Sequence, residues 1–293
     1  MRKKIIIGIS FFLILISYLT FVDFKGDWAL RNGGLENLRV FFFESLWPPD
    51  WSVLEPRAYP VCERDIGLFC SIAWTGMVET VKIAFVATVF GFIIALPISS
   101  LAASNLAPPV VSLIARTTLA GMRSLPSIIW AVLFVVVVGF GPFAGVLAMT
   151  FYTIGYLGKL QFEAIEGIQN TPLEAHRAMG MNRLEVFIFV VIPESANNLI
   201  SHMMFMFEYN VRHGTVIGLV GAGGIGWHIS NYLKFLQYDK VLALLIVIFL
   251  TVVVIDLSSQ FVRSFFNENN DARNKTWLSV FLPANAVLSK EEE

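Results

Sequence analysis

Arg123-Ser124-Leu125-Pro126 sets a guanidinium and a hydroxyl beside a proline inside a long apolar run. Proline removes a backbone donor and kinks or breaks a helix, and a broken helix next to a fixed cation can hold an anionic solute. An arginine reaching from a helix to the membrane surface is the plain structural alternative. A second set lies further on: Asn198, His202, Phe205, Tyr209 and Arg212 recur at steps of three and four and so share one helical face, with Ser201 and Glu208 beside it. Such a stripe suits a water-lined path or a moving interface, although ordinary hydrogen bonds between helices, worth about 1 kcal/mol or less each, use the same residue types. Gly221-Ala222-Gly223-Gly224-Ile225-Gly226 matches GxGxxG in letters only, because no soluble strand-turn-helix unit surrounds it. Gly221, Gly223 and Gly224 fit a tight turn or gate packed against neighbouring helices, here read as a short re-entrant element. His176, His202, His213 and His228 show no HExxH or HxH spacing, and GxSxG is missing, so neither a zinc site nor a nucleophile elbow is legible.

These residues are carried by a chain that is 56% hydrophobic and only 15% charged over 293 residues, a composition suited to lipid. A formal charge of −1 offers no basic surface for nucleic acid. Six apolar stretches approach the roughly 20 residues needed to cross a bilayer, at 5–22, 74–101, 110–138, 143–160, 195–211 and 241–261. The fold class is therefore an all-α membrane protein of about six transmembrane helices. Arg2-Lys3-Lys4 places the N-terminus in the cytoplasm, and an even number of crossings returns the C-terminus there. The expected organisation is an uncleaved signal-anchor at 1–22, an external loop at 23–71, a core at 72–263 and a cytoplasmic tail at 264–293. Within the core, 161–194 is cytoplasmic and the glycine-rich 212–240 is external. Glu79 and Lys82 read as a local ion pair, and Asp256 has no partner nearby in sequence. Cys62 and Cys70 both fall outside the membrane, as a short-loop disulfide or as two thiols.

The connection between the fourth and fifth spans is the most informative stretch. Thr171 is followed by Pro172 and Glu174, the pattern of a capping box with a proline start, and Gly180 stands where a glycine would stop the helix. A helix of about two turns is thus expected outside the bilayer, tied at both ends to spans, either where another protein can push on it or as a simple membrane-surface helix. Asn182 starts a second helix that runs toward Pro193.

Glu174-Ala175-His176, then Gly180, Val190, Ile192 and Pro193, resembles the EAA motif of type I ABC importer permeases, with His176 in place of the third alanine. The resemblance implies that this loop docks in a cleft of an ATP-hydrolysing subunit. Arg123 to Ala131, the Gly139-Phe140-Gly141-Pro142 turn and Arg212 to Gly226 further resemble the permease of phosphonate importers; the Gly-Ala-Gly-Gly run is shared with methionine permeases. This likeness implies a methionine/phosphonate permease-like fold in a bacterial inner membrane. It also implies a second copy of the chain, two ATPase subunits that bind ATP and Mg, and an external phosphonate-binding protein. The chain itself would bind no cofactor and perform no chemistry. Arg123, Ser124, His202 and Arg212 are expected to line or gate the path. A permease for methionine or another amino acid is the alternative; a passive channel or an intramembrane enzyme is more distant.

Overall fold

The computed structural model describes residues 2–23, 33–56 and 67–266, all of it helix, turn and one isolated bridge between Pro56 and Ser71. Two compact units are present, Met1–Trp47 and Pro48–Glu293. In the first, α1 (Arg2–Asp23) carries the apolar run Ile7–Val22, and α2 (Gly34–Val40) passes into a wide π turn at Phe41–Leu46. The apolar run Ile7–Val22 rises about 24 Å, short of a hydrocarbon core of about 30 Å.

The second unit is built on α3 (Ile72–Ala102) and α6 (Pro142–Glu166), long apolar helices that pack closely at Gly91, where a Cβ would stand 2.4 Å from Thr153 Cγ2. Four helices among the described residues are long and apolar enough to cross a membrane: Ile72–Ala102, Pro142–Glu166, Arg183–Val220 and Tyr238–Arg263. A bent pair passes the same test only when its two helices are taken together, as a broken span or a re-entrant element. The single span expected at 110–138 is instead α4 (Pro109–Ser124) and α5 (Ser127–Val138), joined at an 84° bend. Pro126 causes the break: it has no N–H to give the Met122 carbonyl, and it forces Leu125 to an extended ψ of 138°. Trp130 Nε1 donates to Met122 O at 3.0 Å and so replaces the missing donor.

Proline acts differently at the other end of the molecule. The expected break between a helix ending near Pro193 and a span at 195–211 is absent. Asn182 and Glu185 form a full capping box, α8 (Arg183–Val186) enters a π turn at Phe187–Val191, and α9 (Ile192–Ile217) continues without interruption. The wider spacing of the π turn lets Ile192 N–H donate to Phe187 O, so the turn before Pro193 stays bonded. Arg212 is consequently inside α9, and the segment expected as a loop at 212–240 is mostly helical: a tight turn at Gly218–Val220, the glycines, then α10 (Ile225–Lys234) before α11 (Tyr238–Phe266). Between α6 and α8 lies α7 (Asn170–Ala178), two residues longer at its start than the Thr171 cap implied, so Thr171 is within the helix. Cys70 is buried beside α3, and Cys62 and the tail from 267 lie outside the described residues.

Candidate functional site

The break between α4 and α5 opens a cavity of about 360 Å³. Arg123 and Ser124 end α4, Ser127 and Ile128 begin α5, and Tyr152 of α6 with Tyr209, His213 and Val216 of α9 close the other side. Ser127 is buried, and Arg123 Nη1 is a buried atom with no hydrogen-bond partner. A guanidinium nitrogen desolvated in this way favours an anion that can accept from it. The aromatic wall is neutral and tightly arranged. Tyr152 Oη and Tyr209 Oη lie 2.8 Å apart, the Tyr209 and His213 rings stack at 3.8 Å between centroids, and Tyr156 stacks on both tyrosines at about 6 Å. Behind it, Asn210 Nδ2 donates to Thr88 Oγ1 and Thr153 Oγ1, each at 2.9 Å, in a buried junction of α3, α6 and α9.

The structure brings Arg123 and Ser124 together and leaves His202 and Arg212 outside the cavity. Arg212 bonds Asp256 at 2.5 Å and lies 3.8 Å from Glu208, which Arg263 also contacts. Asp256, without a partner in sequence, thus has one in space. His202 Nδ1 is buried and unpartnered at another level of α9. The polar stripe of α9 is offset by one residue from its buried face: Leu199, Met206, Asn210, Gly214 and Ile217 are buried, while Asn198, Phe205 and Arg212 are exposed. Sequence reasoning passed over Asn210, Tyr152 and Ser127; only Ser127, directly after Pro126, had a local signal.

The glycines shape a second pocket of about 270 Å³ with Glu79, Phe140, Gly141, Pro142 and Trp227. Gly221 adopts φ 93°, where a Cβ would strike the Phe140 ring at 2.2 Å, so both its conformation and its neighbour require glycine. Gly141 N–H donates to Gly221 O at 2.9 Å, and Thr80 Oγ1 accepts from Ile225 N at 2.9 Å, capping α10 from α3. Glu79 faces this pocket while Lys82 lines an apolar groove with Trp74 and Val247, so the local ion pair expected between them does not form.

α7 is anchored by Leu173, 2% exposed, and presents Thr171, Glu174, Ala175 and Gly180 outward. His176 Nδ1 donates to Pro172 O at 2.7 Å and so is tied to its own helix. Gly180 stops the helix at φ 84°, and Pro193 lies exposed after the π turn.

Residues 73–267 match the family model of the binding-protein-dependent transport system inner membrane component. The chain is 37% identical over 191 residues to the phosphite transport system permease protein PtxC of Stutzerimonas stutzeri, covering 65% of this chain and 70% of that one. It is 37% identical over 192 residues to the phosphate-import permease protein PhnE of Mycolicibacterium smegmatis, covering 65% of this chain and 36% of the longer relative. PhnE2 of Escherichia coli, a candidate permease of a cryptic phosphonate transport system, is 42% identical over 120 residues, which is 41% of this chain and 98% of that one. Among solved structures, the MetNI methionine ABC transporter in an inward-facing conformation shares the fold at a TM-score of 0.61 and 23% identity, covering 67% of this chain and 97% of that one.

Proposed function

This chain belongs to the binding-protein-dependent transport system inner membrane component family, and from that premise we propose that it is the permease subunit of an ATP-driven importer of phosphonates or the related oxyanions phosphite and phosphate. It is a transport component and not an enzyme. ATP is hydrolysed by a partner subunit, and a binding protein delivers solute from outside.

The observation that carries the oxyanion reading is the Arg123 cavity. A phosphonate or phosphite presents several acceptor oxygens and one or two negative charges near neutral pH. The Arg123 guanidinium and the Ser127 hydroxyl supply donors to such a group, Ser124 Oγ being turned to donate to Gly121 O, and Ile128 and Val216 offer an apolar wall for an organic substituent. A transit site needs little more, because a solute held tightly leaves slowly. The assembly has two copies of this chain and two ATPase subunits, with ATP and Mg bound at the latter. The N- and C-termini are cytoplasmic. The outward face of α7, Thr171, Glu174 and Ala175, takes the push of the ATPase, and the glycine turn around Gly221, Gly223 and Gly224 gates the outer side.

Uptake of labelled methylphosphonate and phosphite into proteoliposomes containing the ATPase and binding protein tests this. We expect ATP-dependent uptake that falls at least about tenfold in Arg123→Gln, the loss expected for one charge-assisted bond. ATP-dependent uptake of methionine with none of phosphite or phosphonate would overturn the solute, and an unchanged Arg123→Gln would remove the cavity from the path.

A further inference from the structure

Glu166, the last residue of α6, is held by three donors on two other segments. It accepts from Ser104 N at 2.7 Å and Ser104 Oγ at 2.6 Å, both on the turn between α3 and α4, and from Arg116 Nη2 on α4. Arg116 is itself fixed by Nε donating to Ala102 O at 2.8 Å and by packing over the Phe162 ring at 4.9 Å. Asn105 Nδ2 adds a bond to Ile165 O at 2.9 Å. The end of α6 is therefore joined to the start of α4 by a compact polar clamp, with both charged partners partly buried.

Two further features give the clamp mechanical meaning. On one side, only Gly167, Ile168 and Gln169 separate Glu166 from α7, and Leu173 of α7 packs in the same buried cluster as Ile165, Ala115 and Leu119. On the other side, α4 lies against α6 with almost no clearance: a Cβ at Gly158 would meet Leu119 Cδ2 at 2.6 Å, and one at Gly155 would meet the backbone of Arg123 and Leu119 at 2.8 and 2.9 Å. Arg116 and Arg123 are seven residues apart, two turns along one face of α4 and about 10 Å in rise. α7 packs on α8 and on the π turn at Phe187–Val191, and it is joined along the chain to Glu166, from which a displacement has a bonded route to α4 through Arg116 and Ser104 and so to Arg123 at the far end of the same helix.

We propose that the Glu166–Arg116–Ser104 clamp is the positioning joint that couples movement of α7 to the Arg123 cavity, a role that rests on the importer reading above. Arg116 and Glu166 touch no solute. They set where Arg123 stands in each state, so their loss separates ATP hydrolysis from transport instead of lowering both.

The test compares Glu166→Gln, Arg116→Gln and Arg116→Lys in proteoliposomes containing the ATPase and binding protein, measuring phosphite uptake and ATP hydrolysis in the same vesicles. We expect hydrolysis stimulated by the binding protein to stay within about twofold of wild type while uptake per ATP falls on the order of tenfold in the two Gln variants. Arg116→Lys, which keeps the charge toward Glu166 but loses the bond to Ala102, should fall between. Uptake and hydrolysis falling in the same proportion, or an unchanged ratio, would overturn the joint. Where a Gln variant fails to assemble, Ser104→Ala, which removes one hydroxyl donor, is judged by the same ratio. Absence of ATP-dependent uptake in the wild-type vesicles would instead defeat the importer reading, so the two failures are distinct.

Discussion

Replacing Gly155 by alanine sets two opposed effects against each other at the contact between α4 and α6. In an open helix the change stabilises by about 1 kcal/mol, because alanine loses less backbone freedom on folding. Here the new Cβ would stand 2.8 Å from Arg123 N, 2.9 Å from Leu119 O and 2.9 Å from Met122 Cβ. Non-bonded heavy atoms prefer about 3.5–4.0 Å, so α4 must retreat by about 0.7 Å or more, and overpacking of this kind costs about 1–3 kcal/mol. Two of the three obstacles are backbone atoms, which cannot rotate away, so the cost outweighs the gain and the net change is about 0–2 kcal/mol destabilising. Gly121 on the exposed side of α4 is the internal control: nothing lies within 4 Å of its added Cβ, so Gly121→Ala should stabilise by about 0.5–1 kcal/mol. Thermal unfolding of the purified subunit should therefore place Gly155→Ala several degrees below Gly121→Ala, at roughly 2–4 °C per kcal/mol for a unit of this size. Because one obstacle is the Arg123 backbone itself, the retreat also displaces the cavity arginine, and oxyanion uptake should drop several-fold with a higher KM. Melting of Gly155→Ala level with Gly121→Ala and above wild type would refute the close α4–α6 packing on which this rests.

Thr80→Val should cost about 1–3 kcal/mol, since Thr80 is fully buried and its loss leaves the Ile225 N–H without an acceptor. Hydrogen exchange at 221–226 should quicken in that variant, and unchanged protection would show that the glycine turn is held by other contacts. The Asp50 carboxyl is kept below its ordinary value by the Ser52 backbone N–H, with Lys240 adding to the effect. A depressed carboxylate contributes stability that is complete above its unfolded value of about 4 and is lost as pH falls through the folded value. Trp51 fluorescence should report loosening of this turn only below about pH 4, and Asp50→Asn should remove that transition; an identical titration in the variant would refute the role of Asp50.

Much of the helical frame is legible because its signals are local. Apolar length alone locates α3, α6 and α11, and the Thr171-to-Gly180 pattern places α7 within two residues. Pro126 and Pro193 show where local reading stops. Both remove one donor, yet one bends the chain by 84° and the other leaves it straight. The difference lies in what surrounds each. Pro126 has Trp130 to close the freed carbonyl, so an open bend is stable. At Pro193 the preceding turn widens to five-residue spacing, and the helix carries on. The site was legible at Arg123 and Ser124, because proline next to a charge is visible in one dimension. Tyr152 and Asn210 were not, since a tyrosine or asparagine in a span has no distinguishing neighbour until α6 and α9 are packed.

The same distinction separates Arg123, the cation we propose meets the solute, from Arg212. Both arginines sit in apolar stretches, and sequence alone offered both as path residues. In space Arg212 belongs to a chain of alternating charges, Asp256, Arg212, Glu208 and Arg263, with two positive and two negative groups, so it is neutralised by the protein itself. An anion entering there would have to displace a carboxylate. Arg116 is likewise occupied by Glu166. Arg123 meets no carboxylate among the described residues and keeps a buried nitrogen without a partner. Burying an uncompensated charge is unfavourable, and a passing oxyanion relieves that cost while it is present. On the proposed oxyanion reading, affinity would follow how far the cavity closes around Arg123 at the end of α4, and we predict that a shift of that helix turns a site that accepts the anion into one that releases it.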